Sequence, residues 1–266
     1  MITEKEIISY IIKNNKKIKI NTKEIKKNDI FLALQGTKYH GNKYINECFN
    51  NGAKYCITDK VPRSKKFINR ILIVEDIFSY LKKLAIKKRS LFKGKVIGIT
   101  GSAGKTTLKE NLYFFLNKSY KVSISAKSHN NILGVLITIL NLDLKSNFLI
   151  SELLTNNYNE IKNLVSFVRP SQIFITNIQS THLQYFDNKK NIAIEKSDIF
   201  KSKYNQNAEI LYLFNTNSAE KYLYKIAQKE KKLKKIILFG NSNSHNYIKK
   251  ITNKNKFYAV ELTKNK

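Results

Sequence analysis

The sequence predicts an α/β protein in two parts: a small α/β domain over residues 1–90, then a larger domain over 91–266 built on a parallel sheet. Three observations carry this. At 266 residues the chain is long for one core and short for three. Its second part alternates short apolar runs with amphipathic stretches, the pattern of βαβ crossovers around a sheet covered on both faces. The apolar run VIGIT is followed at once by GSAGKTT, a glycine-bearing turn that opens a helix.

In the first part, residues 30–34 (IFLAL) read as a strand followed by Gly36. Residues 44–51 read as a helix ended by Gly52, a residue suited to a C-terminal cap. Residues 55–58 and 71–74 are two more strands, and 77–89 a helix with a basic outer face. From Lys95 the expected strands are 96–100, 121–125, 148–151, 173–178, 210–214 and 236–239. The helices between them are 106–116, 133–142, 160–168, 190–201 and 218–230, the third stopping before Pro170. In such sheets ligands sit at the carboxyl ends of the strands, so chemistry is sought just after each strand.

The first such place is the loop 101–107. Gly101 and Gly104 let the backbone curl so that N–H groups face phosphate oxygens, and the following helix N-terminus adds a favourable dipole. Lys105 can reach the β- and γ-phosphates of ATP as a point charge, and Thr106 can offer its hydroxyl to Mg2+. Gly101, Ser102, Ala103, Gly104, Lys105, Thr106 and Thr107 are thus the candidate nucleotide loop. Ile99 stands where the strict G-x-x-x-x-G-K-[ST] form has its first glycine. A plain glycine-rich turn is the alternative, and GKTT directly after a β-run argues against it. Glu152 follows the strand FLIS, Asn177 ends IFIT, His182 lies just beyond, and Lys196 is on the next helix. Singly these read as a cap, a structural histidine or a solvated lysine; their order after the loop is what distinguishes them.

The net charge of +30 invites a nucleic-acid reading. The lysines are spread along the whole chain, with no arginine-rich arm and no module of interleaved stacking aromatics, so nucleic-acid binding is not expected as the primary role. Lys, Asn and Ile are favoured together while Gly, Pro and Trp are scarce, a bias that A/T-rich codons would produce. Cys48 and Cys56 have the spacing of neither a zinc site nor a redox pair and read as core thiols. No apolar run approaches the ~18–20 residues of a membrane span, and the N-terminus lacks a signal-peptide layout. A soluble cytoplasmic protein is expected.

Several segments follow the loop TGSAGKTT in a fixed order: SHNNILGVLITILNL (128–142), LISELLTNNYNEI, NIQSTHLQYF and IEKSDIF (194–200). Ahead of it lies NTKEIKKNDIFLALQGTKYHGNKYI. Collinearly, these resemble motifs of the Mur ligases, the ATP-dependent amide-forming enzymes of peptidoglycan precursor synthesis, and most of all the branch that adds D-alanyl-D-alanine. The family counterparts are N-N-x-x-G-V-P, E-L-G-A-N-x-x-G-E-I, N-I-x-x-A-H-L-x-x-F and A-K-x-E-I-F.

The resemblance implies a Mur-ligase-type central ATP-binding domain after a UDP-substrate-binding domain, with ATP and Mg2+ as cofactors. Lys105 and Thr106 would bind phosphate and a first Mg2+, with Glu152 on the same metal. His182 would help hold a second Mg2+. Lys196 would be carbamylated by CO2, since a carbamate offers oxygens to a cation and an ammonium does not. Lys105, His182 and Lys196 are thus the implied catalytic residues. Asn131 and Asn215 join the nucleotide-binding set, Asn215 through LFNTNS, which resembles the family's N-A-D-D segment. The implied partners are a UDP-N-acetylmuramoyl peptide, whose carboxylate would be activated as an acyl phosphate, and D-alanyl-D-alanine, whose amine would then form the amide.

Departures from the family pattern are Asn21 and Lys23 for its Asp and Arg, His40-Gly41-Asn42 for Asp-Gly-His, Leu136 for Pro, and Leu154-Thr155 for Gly-Ala. The sequence ends at Lys266, soon after LFGNSNSHNYI, and the family's third, C-terminal domain is expected to be lacking or supplied by a separate chain. A nucleotide-binding remnant or regulatory module without turnover, and a related ligase of another substrate class, stay open as alternatives.

Overall fold

The computed structural model describes residues 2–13, 17–63, 65–126, 130–179, 186–215, 219–240, 243–254 and 257–264. The chain forms two compact units: Met1–Lys93 with Leu136–Lys145, and Gly94–Val135 with Ser146–Lys266.

The first unit is a parallel sheet in the order β1 (Ile18–Lys19), β2 (Ile30–Ala33), β3 (Tyr55–Thr58), β4 (Ile71–Ile73). Its helices are α1 (Glu4–Lys13), α2 (Ile45–Asn50) and α3 (Ile77–Leu91). Phe31, Ala33, Cys48, Phe49, Cys56 and Ile71 share one core cluster. Both cysteines are free and buried, as their spacing implied. A side-chain hydrogen bond with Cys48 and burial push the Cys56 thiol well above its ordinary pKa, so it is no thiolate nucleophile. Asp76 begins α3, its Oδ1 accepting from Ser79 N at 2.6 Å, and Lys88 and Arg89 sit in the last turn, where the dipole favours cations.

Two features of this unit lay outside the sequence reading. Helix α1 opens on a reciprocal cap: Thr3 N donates to Glu6 Oε2 at 2.8 Å and Glu6 N to Thr3 Oγ1 at 3.3 Å. Residues 136–145 also belong here. Asn141 receives Ile18 N on Oδ1 (2.6 Å) and gives Nδ2 to Ile18 O (3.0 Å), so its amide acts as a strand neighbour for β1. Lys88 Nζ donates to Leu140 O at 2.6 Å and Lys17 Nζ to Asn141 O at 2.7 Å.

The second unit holds the eight-stranded sheet, order β12-β11-β10-β9-β8-β5-β7-β6. The strands are β5 (Lys95–Thr100), β6 (Val122–Ile124), β7 (Phe148–Glu152), β8 (Gln172–Ile175), β9 (Ile210–Asn215), β10 (Lys235–Gly240), β11 (Asn246–Lys254) and β12 (Phe257–Lys264). All neighbours are parallel except β11 and β12. The helices are α4 (Lys105–Leu116), α5 (Ile132–Leu140), α6 (Glu160–Val168), α7 (Lys189–Ser197) and α8 (Ala219–Ala227); the residues of α5 divide between the units after Val135. This is the expected α/β architecture with a parallel sheet. No helix among the described residues is long and apolar enough to cross a membrane.

Strand order reverses at β5. The chain leaves it for the edge strand β6, returns to β7 on one side, then crosses to β8 on the other. The carboxyl ends of β5, β7 and β8 therefore meet at the switch point, where open sheets bind ligands. One expected strand, 173–178, stops at Ile175 because Thr176 and Asn177 leave the ladder to hold the loop after β5.

Candidate nucleotide and metal site

The loop after β5 is built from both sides. Gly101 has φ +143°, and a Cβ there would lie 2.0 Å from Thr176 Oγ1, so only glycine lets the chain pass. Ser102 N donates to Asn177 O (3.0 Å), Ala103 N to Asn177 Oδ1 (2.9 Å), and Thr176 Oγ1 to Ala103 O (2.6 Å). Asn177, singled out by its place after a strand, is thus the staple that shapes the loop. Gly104, at φ +78°, has nothing within 4 Å of a would-be Cβ and begins α4 without a side-chain cap. The first turn of α4 thus carries no side-chain cap on its N–H groups, a condition that suits an anion. Lys105 folds back, Nζ donating to Gly101 O (2.9 Å) and Ser102 O (3.3 Å). Burial lowers its pKa, and the charge of Glu152 opposes that shift.

Glu152 ends β7 at 3% exposure. Thr106 Oγ1 donates to its Oε2 (2.9 Å) and Asn130 Nδ2 to its Oε1 (3.1 Å). The sequence reading missed the third neighbour, Lys109. This side chain is fully buried, with Nζ 3.0 Å from Ser125 O and 4.0 Å from Glu152 Oε2. Its spacing from Lys105, one helical turn, was the available signal, but a lysine on a helix reads as solvated until the fold buries it.

Lys196 lies on α7. Three lysines are buried among the described residues: Lys88 at 2%, Lys109 at 0% and Lys196 at 3%. Lys88 Nζ donates to Leu140 O and Lys109 Nζ to Ser125 O, whereas the side-chain amine of Lys196 has no hydrogen-bond partner among the described residues. Burial, then the charge of Lys105, push its amine down to about 7, with Glu195 opposing. A free amine is therefore well populated near neutral pH. Glu195 was also missed. Its buried carboxylate accepts Asn159 N (2.9 Å) and Ile161 N (3.1 Å), capping α6 and fixing α7 beside it. Burial raises its pKa against those two bonds.

The other expected residues divide. Thr107 sits exposed in the first turn of α4. Asn131 caps α5, Oδ1 accepting Gly134 N (2.9 Å), so its side chain has a structural duty in place. Asn215 ends β9, with Nδ2 donating to Ser244 Oγ (3.2 Å). His182 lies outside the described residues. No group of three or more His, Cys, Asp or Glu gathers among the described residues. The metal reading thus rests on the oxygens of Thr106 and Glu152 beside open space. That hard pair suits Mg2+, which takes one or two carboxylates and completes its shell with water and phosphate.

The first unit carries a basic cavity of about 730 Å3 lined by Lys38, Tyr39, His40, Asn42, Lys60 and Arg63, among others. The departures at 40–42 build its wall: His40 Nε2 meets Asp59 Oδ1 at 2.9 Å, and Asn42 Oδ1 accepts the Thr58 hydroxyl at 2.6 Å. A Cβ at Gly41 would come 2.7 Å from Ala33 Cα.

Residues 99–266 match the family described as the Mur ligase middle domain. The UDP-N-acetylmuramoyl-tripeptide–D-alanyl-D-alanine ligase of Rickettsia prowazekii is 32% identical over 260 residues, covering 94% of this chain and 57% of that protein. The ligase of that name from Borreliella burgdorferi is 30% identical over 238 residues, 84% of this chain and 50% of that one. The chain thus spans about half the length of curated relatives it matches. Among solved structures, the MurF ligase of Thermotoga maritima in complex with ADP superposes with a TM-score of 0.74 at 28% identity, over 93% of this chain and 56% of that one. Acinetobacter baumannii MurF shares the fold, with a TM-score of 0.78 at 23% identity, over 97% and 58%.

Proposed function

The chain belongs to the Mur ligase family, and from that premise we propose that it binds ATP with Mg2+ on the loop 101–107 and serves ATP-dependent amide-bond formation in cytoplasmic peptidoglycan precursor synthesis. The specific reaction proposed is addition of D-alanyl-D-alanine to a UDP-N-acetylmuramoyl tripeptide. The observation that carries this is the hydrogen bond from Thr106 to buried Glu152 at the mouth of a glycine loop on the sheet's switch point. The ADP bound by the Thermotoga relative supports the nucleotide.

Each residue then has a task. The uncapped N–H groups of α4 receive phosphate oxygens. Lys105 leaves the carbonyls of Gly101 and Ser102 for the β- and γ-phosphates, a short swing for a flexible side chain. Thr106 and Glu152 would hold Mg2+, which would supply neutralisation of phosphate charge. The buried amine of Lys196 forms an N–C bond with CO2, loses a proton and becomes a carbamate anion. His182 is proposed to join it at a second Mg2+, and Asn131 and Asn215 to touch the nucleotide. The substrate carboxylate attacks the γ-phosphorus and ADP leaves; the dipeptide amine then attacks the acyl carbon, losing a proton as phosphate departs. Positioning and charge neutralisation supply the catalysis. The first domain, 1–90, is proposed to take the UDP-linked substrate in its basic cavity.

A second reading is binding of nucleotide without ligation, as a remnant or regulatory module, which the same glycine loop would support. The comparisons give no support for a separate chain that completes the protein. Incubation with ATP, Mg2+, the UDP-linked tripeptide and D-alanyl-D-alanine separates the readings. Amide product with ADP and phosphate supports ligation. ATP binding without phosphate release in the full mixture leaves the second reading. Replacing Lys105 by Ala abolishes nucleotide binding if the loop is assigned correctly; unchanged affinity overturns the assignment.

A further inference from the structure

Lys109 does not behave as an ordinary partner of Glu152. Its ammonium is held by the backbone, at 3.0 Å from Ser125 O and 3.5 Å from Ala126 O, with Glu110 Oε1 at 3.4 Å. Glu152 Oε2 is farther, at 4.0 Å. The cation is therefore fixed by carbonyls that stay where they are whatever Glu152 binds. The charge of Lys105 also bears on Glu152. One buried carboxylate thus lies near two ammonium groups, one of them held by backbone carbonyls, and the oxygen that faces Lys109 also accepts the Thr106 hydroxyl, its companion ligand.

We propose that Lys109 is a positioning residue that makes metal binding depend on nucleotide. A lone divalent cation on Thr106 and Glu152 meets one buried carboxylate with two ammonium groups near it, the second carboxylate, Glu110, being half-exposed and so more screened by water. Nucleotide phosphates reverse the balance by adding several negative charges on the open side of the pair. The metal accordingly enters with the nucleotide, and the empty loop does not collect a cation that would block phosphate entry. This rests on the reading of Thr106 and Glu152 as metal ligands.

The test uses the full chain with Mn2+ as probe, free Mn2+ being followed by electron paramagnetic resonance with and without ADP. Wild type binds Mn2+ weakly alone and at least about tenfold more tightly with ADP, the scale of one close charge pair at reduced dielectric. Lys109→Gln keeps a donor for Ser125 O and removes the charge; it binds Mn2+ alone about tenfold tighter than wild type. Lys109→Arg keeps the charge and stays with wild type, although a purely packing role would let Gln and Arg act alike. A folded Lys109→Gln protein with no gain overturns the proposal, as does Lys109→Arg matching the Gln variant. Should the Gln variant fail to fold, wild type decides alone: equal Mn2+ affinity with and without ADP overturns it. Glu152→Gln separates the two layers. If it leaves Mn2+–ADP binding intact, the metal pair is misassigned; if it abolishes that binding while Lys109→Gln shows no gain, only the role of Lys109 falls.

Discussion

Thr106 and Glu152, 46 positions apart in sequence, are joined by a hydrogen bond of 2.9 Å between hydroxyl and carboxylate. The bond links the first turn of α4 to the end of β7, so it forms only if the strand order around β5 is correct. Thr106→Val removes the hydroxyl and keeps the shape. If that oxygen is a metal ligand, its loss lowers Mn2+–ADP affinity roughly tenfold or more, the scale seen when a metal site loses one supporting group. A titration showing unchanged affinity counts against Thr106 as a ligand.

Two glycines of one loop give unequal losses on substitution by alanine. At Gly101 the new Cβ meets Thr176 Oγ1 at 2.0 Å, which forces apart the staple that shapes the loop. Gly101→Ala loses about 2 kcal/mol or more in urea denaturation, by overpacking and backbone strain together, and loses nucleotide binding with it. At Gly104 no atom lies within 4 Å, so only the positive φ resists. Gly104→Ala costs about 1–2 kcal/mol. Equal losses at both positions contradict this account.

Much of the second unit was legible because buried parallel strands write themselves as short apolar runs between amphipathic stretches. The loop, Glu152 and Lys196 followed from their places after those runs. Strand ends were less legible: Thr176 continues an apolar run, yet its hydroxyl is used by Ala103 O. The cap Thr3–Glu6 is a T-x-x-E signature that sequence could have read. Lys109 was hard to read, since burial is a property of what packs over a helix, and its one-turn spacing from Lys105 was the sole local mark setting it apart from solvated lysines. Residues 133–142 read as helix, but no periodicity says which sheet a helix end serves. That assignment comes from Asn141.

Asn141 tests it. Its amide makes both ladder bonds to Ile18, the first residue of edge strand β1. Asn141→Ala leaves Ile18 N and O without those partners and costs about 1–3 kcal/mol. Hydrogen exchange locates the effect: the Ile18 amide loses protection while those of β7 and β8 keep theirs. Uniform loss across both sheets argues that Asn141 supports the fold in some other way.

Lys196 makes stability depend on pH with a definite sign. Its amine is held down to about 7 in the folded protein against 10.5 as the ordinary value. Between those values the unfolded chain binds the extra proton, so stability rises with pH from about 7 towards 10.5 and levels off below about 7, where both states are protonated. Lys88, held down to about 8 by burial first, adds the same sign over a narrower window. Lys196→Met removes the larger contribution. Urea denaturation from pH 6 to 9 gives a steep rise for wild type and a shallower one for the variant, with the variant more stable at the acid end. Parallel curves mean that Lys196 titrates normally. A carbamate adds a separate mark: bicarbonate stabilises wild type near neutral pH and leaves Lys196→Met unmoved, because only a neutral amine forms the N–C bond. Rescue of a Lys196→Ala protein by short-chain carboxylates, read as recovered Mn2+ binding in the presence of ADP, supports the anion at that position. Full binding by that variant with no rescue agent refutes it.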